Sequence, residues 1–65
     1  MKGIFYSVEI EVGDNGYPEL ETRDFSLALK LYRKLVREPY QGVCTIALVV
    51  HCGDDESVIY ECEKY

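Results

Sequence analysis

A single amphipathic helical segment lies between two pairs of β-type segments, and this arrangement leaves a chain of 65 residues few ways to fold. Between Asp24 and Arg37, apolar residues recur at spacings of three and four, which is typical of a helix with one buried stripe. Asp24 can accept hydrogen bonds from the free amides of the first turn. Pro39 ends the helix near Glu38, because the residue before a proline avoids α geometry. The stripe is formed by Phe25, Ala28, Leu29, Leu31, Tyr32, Leu35 and Val36.

The residues before the helix predict a β-hairpin. From Ile4 to Val12 apolar side chains occupy every second position, which indicates a half-buried strand. The segment Gly13-Asp14-Asn15-Gly16 permits the positive φ angles that tight hairpins need. Tyr17 to Thr22 then return as a second strand. Pro18 cannot donate to a strand ladder, so this strand is expected at a sheet edge.

The residues after the helix predict a second hairpin. Val43 to Cys52 are apolar on both faces, which is typical of a central strand. Gly53-Asp54-Asp55-Glu56 is a turn, and Ser57 to Glu63 form the last strand. A two-residue turn at Asp54-Asp55 places Ala47 opposite Cys62 and His51 opposite Val58. Strict alternation sends Val58, Tyr60 and Cys62 to one face and Ile59, Glu61 and Glu63 to the other.

Together these elements predict one α+β domain spanning residues 1–65, in the order ββαββ, with one helix packed on a four-stranded antiparallel sheet. The helix covers one sheet face only. The other face should carry alternate residues of the Val43–Cys52 strand, together with Phe5 and Ile59. An apolar face open to water is unusual in a monomer. A second copy packed sheet against sheet would cover it, so we expect a homo-oligomer, most simply a homodimer.

Composition excludes several classes of function. Twelve acidic residues against seven basic ones give a net charge of −5, which argues against general binding to a nucleic-acid backbone. No run of about 20 apolar residues is present, so no membrane span is expected, nor is an export signal. The three cysteines do not have the spacing of a disulfide scaffold. Free thiols in a reducing cytoplasm are the simpler interpretation.

The soft metal ligands of the chain are Cys44, His51, Cys52 and Cys62. On an extended strand Cys44 and Cys52 lie about 26 Å apart, so no zinc site can form from them. Neighbouring residues of a strand face opposite ways, which separates His51 from Cys52 as a nucleophile–base pair. No phosphate-binding glycine loop or calcium loop is present either. We therefore predict no catalytic residues, no metal site, no cofactor and no enzymatic activity.

Charge is segregated along the chain. Residues 23–38 contain five basic and two acidic side chains, a balance of +3, and the remainder contains two and ten, a balance of −8. The basic residues recur at helical spacing and form a stripe that either complements the helix dipole or docks a partner. The acidic residues on the predicted strands before and after the helix either imitate a nucleic acid or keep the sheet edges soluble. The basic helix face is Lys30, Arg33, Lys34 and Arg37, and the acidic flank is Glu9, Glu11, Glu61 and Glu63.

In size, acidity and lack of catalytic motifs, the chain is similar in kind to small phage and mobile-element accessory proteins, including inhibitors of host defence nucleases. Three hypotheses follow. The first is a non-enzymatic module that binds another macromolecule, most simply a protein, as a homodimer. The second is an inhibitor whose acidic flank mimics nucleic acid. The third is a binder of a small anionic ligand or nucleotide at a dimer cleft, through Arg33, Lys34 or Arg37.

Overall fold

A computed structural model describes residues 3–39 and 44–64 of the chain. Its elements are β1 (Ile4–Val12), β2 (Asn15–Thr22), α1 (Phe25–Arg37), β3 (Cys44–Cys52) and β4 (Asp55–Lys64). This is the predicted ββαββ order, and the α+β class is confirmed. Val43, the predicted first residue of the third strand, lies outside the described residues. Among those that are described, no helix is both long and apolar enough to cross a membrane.

All four strands form one antiparallel sheet in the order β2-β1-β3-β4. Each hairpin pairs two consecutive strands, and the helix carries the chain across the sheet so that β3 pairs with β1. The two central strands are thus β1 and β3, and β2 and β4 are the edges. Pro18 lies in β2, at an edge as expected.

The helix begins where the sequence predicts. The carboxylate of Asp24 accepts a hydrogen bond from the backbone N–H of Leu27 at 3.3 Å, and the hydroxyl of Thr22 accepts one from the N–H of Asp24. The helix ends at Arg37, and Glu38 before the proline is extended, with φ −71° and ψ 140°. The core cluster between helix and sheet consists of Val8, Ile10, Ala28, Tyr32, Leu35, Cys44, Ile46 and Leu48.

Lys64 connects the end of the last strand to the end of the helix. Its ammonium donates hydrogen bonds to the backbone carbonyls of Val36 at 2.7 Å, Leu35 at 3.0 Å and Glu38. The last carbonyls of a helix have no partner within the helix, and a cation there also complements the helix dipole. The contact holds β4 against the helix at the edge of the sheet.

Two predicted details are wrong. The turn of the second hairpin is Gly53-Asp54, because Cys52 pairs with Asp55, so His51 lies opposite Glu56 and Ala47 opposite Glu61. Gly53 has φ +62°, and glycine at the first position of a two-residue loop favours this geometry. A β-bulge then leaves Ile59 without a counterpart between the Leu48–Tyr60 and Val49–Val58 pairs. The bulge breaks the strict alternation and moves Val58 to the same face as Glu61.

Candidate functional site

The sheet face that the helix leaves uncovered, called the open face below, carries alternate residues of every strand. The register places each of these residues beside residues of the neighbouring strands on the same face. β1 contributes Phe5, Ser7, Glu9 and Glu11; β2 contributes Gly16, Pro18 and Glu21; β3 contributes Thr45, Ala47, Val49 and His51; β4 contributes Glu56, Val58, Glu61 and Glu63.

All four glutamates of the predicted acidic flank lie on the open face. Glu9, Ala47 and Glu61 form one row across three strands, and Glu11, Thr45 and Glu63 form the next. Within a row the two glutamate Cα atoms are about 10 Å apart, since two strand spacings separate them. Successive rows are about 6.8 Å apart along the strands. The two glutamate pairs are called the carboxylate rows below. Each row forms because β3 lies between β1 and β4 and brings a glutamate of β1 and a glutamate of β4 to the same level of the sheet.

A trough of about 320 Å³ runs along β3 between the glutamates. Its floor is low because β3 contributes short side chains there, Thr45 and Ala47. The side chain of Val58 extends the apolar part of the floor, and Ile59, which the sequence placed on this face, does not line the trough. Its walls are the carboxylate-bearing side chains Glu9, Glu11, Glu56 and Glu61.

The expectation of an apolar open face is therefore wrong in part. Ala47, Val49 and Val58 are apolar, but the strands on either side of β3 supply carboxylates. A second copy packed flat against this face would bring carboxylates near carboxylates without water to screen them, which is costly. Self-association itself stays a prediction.

A buried hydroxyl supports one end of the trough. Ser7 is 1% exposed, and its Oγ donates a hydrogen bond to Oε2 of Glu9 at 2.7 Å and lies 2.8 Å from Nε2 of His51. Nδ1 of His51 lies 3.5 Å from Oε2 of Glu56, and the ring of Phe5 stacks on the imidazole at 4.4 Å between centroids. Glu9 and Glu56, on strands either side of β3, thus both lie close to one histidine.

Sequence reasoning missed this cluster of Phe5, Ser7, Glu9, His51 and Glu56. Its only signal in the sequence is that Ser7 and His51 are both polar and both alternate with residues that face the helix. Their contact depends on the β1–β3 register, which pairs Phe5 with His51 and Ser7 with Val49. That register is a tertiary property and cannot be read from either strand alone.

The order Ser7, His51, Glu56 resembles the nucleophile, base and carboxylate of a hydrolase. Two observations argue against that role. Ser7 is almost fully buried, so its Oγ cannot reach a substrate carbonyl. Its hydroxyl proton is also directed to Glu9, which leaves Oγ to accept from Nε2–H of His51 rather than to donate to it. The hydrogen bond from Ser7 instead restrains the carboxylate of Glu9.

The thiols are scattered as the extended β3 strand predicts. Cys44 is buried at one end of β3, Cys52 is exposed at the other, and Cys62 is half-buried on the helix side of the sheet, opposite Ile46. His51 lies on the open face, so the sheet separates it from Cys62. Within residues 3–39 and 44–64, no three histidine, cysteine or acidic side chains converge as metal ligands.

The predicted basic helix face lies on the opposite side of the molecule from the trough. Its four side chains, Lys30, Arg33, Lys34 and Arg37, are exposed. Lys34 Nζ is 3.8 Å from the carboxylate of Glu38, an exposed pair that contributes little to stability. Beside it, Leu27 and Leu31 form a shallow depression of about 210 Å³ with Lys30 and Lys34. The structure separates the two charged surfaces by the full thickness of the domain.

The chain matches no protein-family model, no curated protein and no solved structure. The arrangement of the side chains themselves is thus the basis on which a function can be argued.

Proposed function

We propose that the protein is a non-enzymatic binding module whose working surface is the open face, which docks onto a basic surface of another protein. The observation that carries this proposal is the convergence of Glu9, Glu11, Glu61 and Glu63 in two rows on an uncovered face. Carboxylates that share a rigid surface produce a concentrated negative field, which attracts a cationic partner and speeds its association. A reducing, cytoplasmic location fits the three free thiols and belongs to the proposal.

The acidic rows are better placed for binding than the basic helix face. Among the described residues, no lysine or arginine lies within ion-pair distance of Glu9, Glu11 or Glu61. On the helix, by contrast, Lys34 lies beside Glu38, and the cations of the last turn complement the helix dipole. Lys34 and Arg37 therefore lie where they complement the end of the helix, whereas Glu11 and Glu61 have no lysine or arginine beside them among the described residues.

Nucleic-acid mimicry is a second candidate for the same surface, and the alignment of like charges along β1 and β4 favours it. Along each strand the carboxylates are about 6.8 Å apart, so the two strands together carry one negative charge per about 3.4 Å, half the linear charge density of a DNA duplex. The partner in that case is a nucleic-acid-binding protein. Competition by duplex DNA or RNA for the captured partner distinguishes mimicry from docking on any other basic surface.

Self-association should use the β4 edge and leave the open face free. The β2 edge is interrupted by Pro18, which has no N–H to donate to an added strand and so hinders strand addition. β4 is ten residues long, and its centre exposes Val58 at 56%, Ile59 at 37% and Tyr60 at 50%. Light scattering on the purified protein measures whether a dimer forms, and Ile59→Lys should dissociate it. A dimer that survives Ile59→Lys and Tyr60→Lys contradicts this interface.

The docking surface is tested with two variants of equal net charge. The first replaces Glu9, Glu11, Glu61 and Glu63 by glutamine, and the second replaces Asp14, Glu19, Asp54 and Asp55, which do not line the trough, by the corresponding amides. Proteins captured by the wild type are compared by quantitative mass spectrometry with those captured by each variant. A partner that is lost only from the first variant, and released by raised salt, supports the proposal. Capture of the same proteins in the same amounts by both variants overturns it.

A further inference from the structure

The shape of the trough limits what part of a partner can enter it. Its walls stand on strands whose Cα atoms are about 10 Å apart, and the glutamate side chains narrow that space further. An α-helix with its side chains is about 10–12 Å wide, so it cannot lie between the walls. A facing strand would sit about 10 Å above the sheet, on top of the walls. Only a side chain of the partner reaches the floor.

The chemistry of the trough selects the kind of side chain. Ala47, Val49 and Val58 provide an apolar floor, and carboxylates stand on both sides of it. A long cationic side chain satisfies both features, because its methylene stem packs on apolar surface while its charged end meets the carboxylates. Neutral or acidic side chains satisfy only one of these features or none.

Arginine fits the two walls better than lysine. A guanidinium is planar and presents five donors in a fixed fork, so it can hydrogen-bond to carboxylates on two sides at once. Glu9 and Glu61 face each other across Ala47 in the same row. The hydroxyl of Ser7 donates to Glu9 at 2.7 Å, which limits the movement of that wall before a ligand arrives.

We infer that the trough is a socket for one protruding arginine side chain of the partner protein, with its stem over Ala47 and its guanidinium between Glu9 and Glu61. This inference rests on the proposed function and adds to it the residue that the open face recognises. The remaining carboxylates, Glu11, Glu56 and Glu63, provide the surrounding field.

The probe for the test is N-acetyl-arginine methylamide, with the lysine and citrulline analogues as controls. Citrulline keeps the shape of arginine but has no charge. Protein labelled in its backbone amides and methyl groups is titrated and followed by NMR. We expect saturable shifts of the Ala47, Val49 and Val58 methyls, about tenfold weaker binding of the lysine analogue, and no saturable binding of citrulline. Equal binding of all three analogues, or shifts confined to residues away from the trough, overturns the inference.

A substitution that fills the floor separates this inference from the proposed function. Ala47→Leu keeps every carboxylate but occupies the space for the arginine stem, and Ser57→Leu makes a comparable change on an exposed position of β4 opposite Val50. We expect Ala47→Leu to weaken binding of the arginine probe about tenfold and Ser57→Leu to leave it unchanged. The amide spectrum reports whether each variant is folded, and Ala47→Val replaces Ala47→Leu if it is not.

If Ala47→Leu binds the probe as the wild type does, the socket is wrong, although the acidic face can still dock a partner. Failure of the proposed function has a different signature, since the glutamine variant of the carboxylate rows then keeps its partners. The comparison of arginine with citrulline uses only the wild-type protein and does not depend on any variant.

Discussion

The Oγ atom of Ser7 lies 2.8 Å from Nε2 of His51, and this contact joins the two central strands on the face that the helix leaves uncovered. The same hydroxyl donates to Glu9, and the same imidazole lies 3.5 Å from a carboxylate oxygen of Glu56. One buried hydroxyl and one imidazole thereby lie between carboxylates that belong to the two opposite walls of the trough.

Ser7→Ala should lower the free energy of unfolding by about 1–2 kcal/mol, because the substitution removes two hydrogen bonds from a buried position. Urea denaturation measures the change. Ser57→Ala, at an exposed position of β4, is the matched control and should have little effect. Equal stability of the Ser7→Ala and Ser57→Ala variants would show that the hydroxyl has no structural role.

Lys64→Met should also destabilise the fold, by about 1 kcal/mol, since it leaves the backbone carbonyls of Leu35, Val36 and Glu38, at the end of the helix, without the ammonium donor. Methionine retains most of the aliphatic length of lysine. Lys34→Met removes a lysine from the same end of the helix, one whose side chain is mostly exposed. Thermal unfolding followed by circular dichroism should show a clear loss for Lys64→Met only, and the reverse order of effects contradicts the capping role.

Asp24→Ala should cost about 1 kcal/mol, because the first turn of the helix loses the carboxylate that accepts from Leu27 N–H. Asp24→Asn keeps an oxygen acceptor at the same place and should recover most of the stability. Chemical denaturation of the two variants side by side makes the comparison. An asparagine variant as unstable as the alanine variant would mean that the cap is not the cause.

The stability of the protein should fall above about pH 10, the ordinary tyrosine value. Burial raises the pKa of Tyr32 above 10.0, and the nearby Cys62, Glu61 and Tyr60 raise it further. The neutral phenol is therefore favoured in the folded state. The stabilisation of the folded state by this raised pKa is fully present below the pKa of Tyr32 in the unfolded chain, and it is lost as the pH rises through the pKa of Tyr32 in the folded protein. Tyr32→Phe should show a smaller alkaline decline than the wild type, and Tyr17→Phe, at an exposed tyrosine, should not.

Much of the fold follows from local patterns in the sequence. The alternation from Ile4 to Val12 predicts β1, and the spacing of apolar residues between Asp24 and Pro39 predicts the helix with its cap and its end. These features depend on residues close together in the chain. They also predict the antiparallel sheet, because two hairpins and one helix have few compact arrangements.

The candidate site was only partly predictable. The sequence identifies Glu9 and Glu61 as members of an acidic flank, but only the insertion of β3 between β1 and β4 places them in one row. The bulge at Ile59 was missed because it depends on how β4 packs along β3, and it decides that Val58 faces the trough. The Ser7–His51 contact joins residues 44 positions apart and likewise follows from the register alone.

The most direct test of the open face as the working surface is an amide NMR titration with a ten-residue arginine peptide at low and at high salt. We expect the largest shifts on β1, β3 and β4 around Glu9, Ala47 and Glu61, with binding that weakens as salt screens the carboxylates. Replacing the four glutamates of the carboxylate rows by glutamine should abolish these shifts, and the variant with amides at Asp14, Glu19, Asp54 and Asp55 should keep them. Shifts spread evenly over the acidic turns, or unchanged in the glutamine variant, would contradict the account.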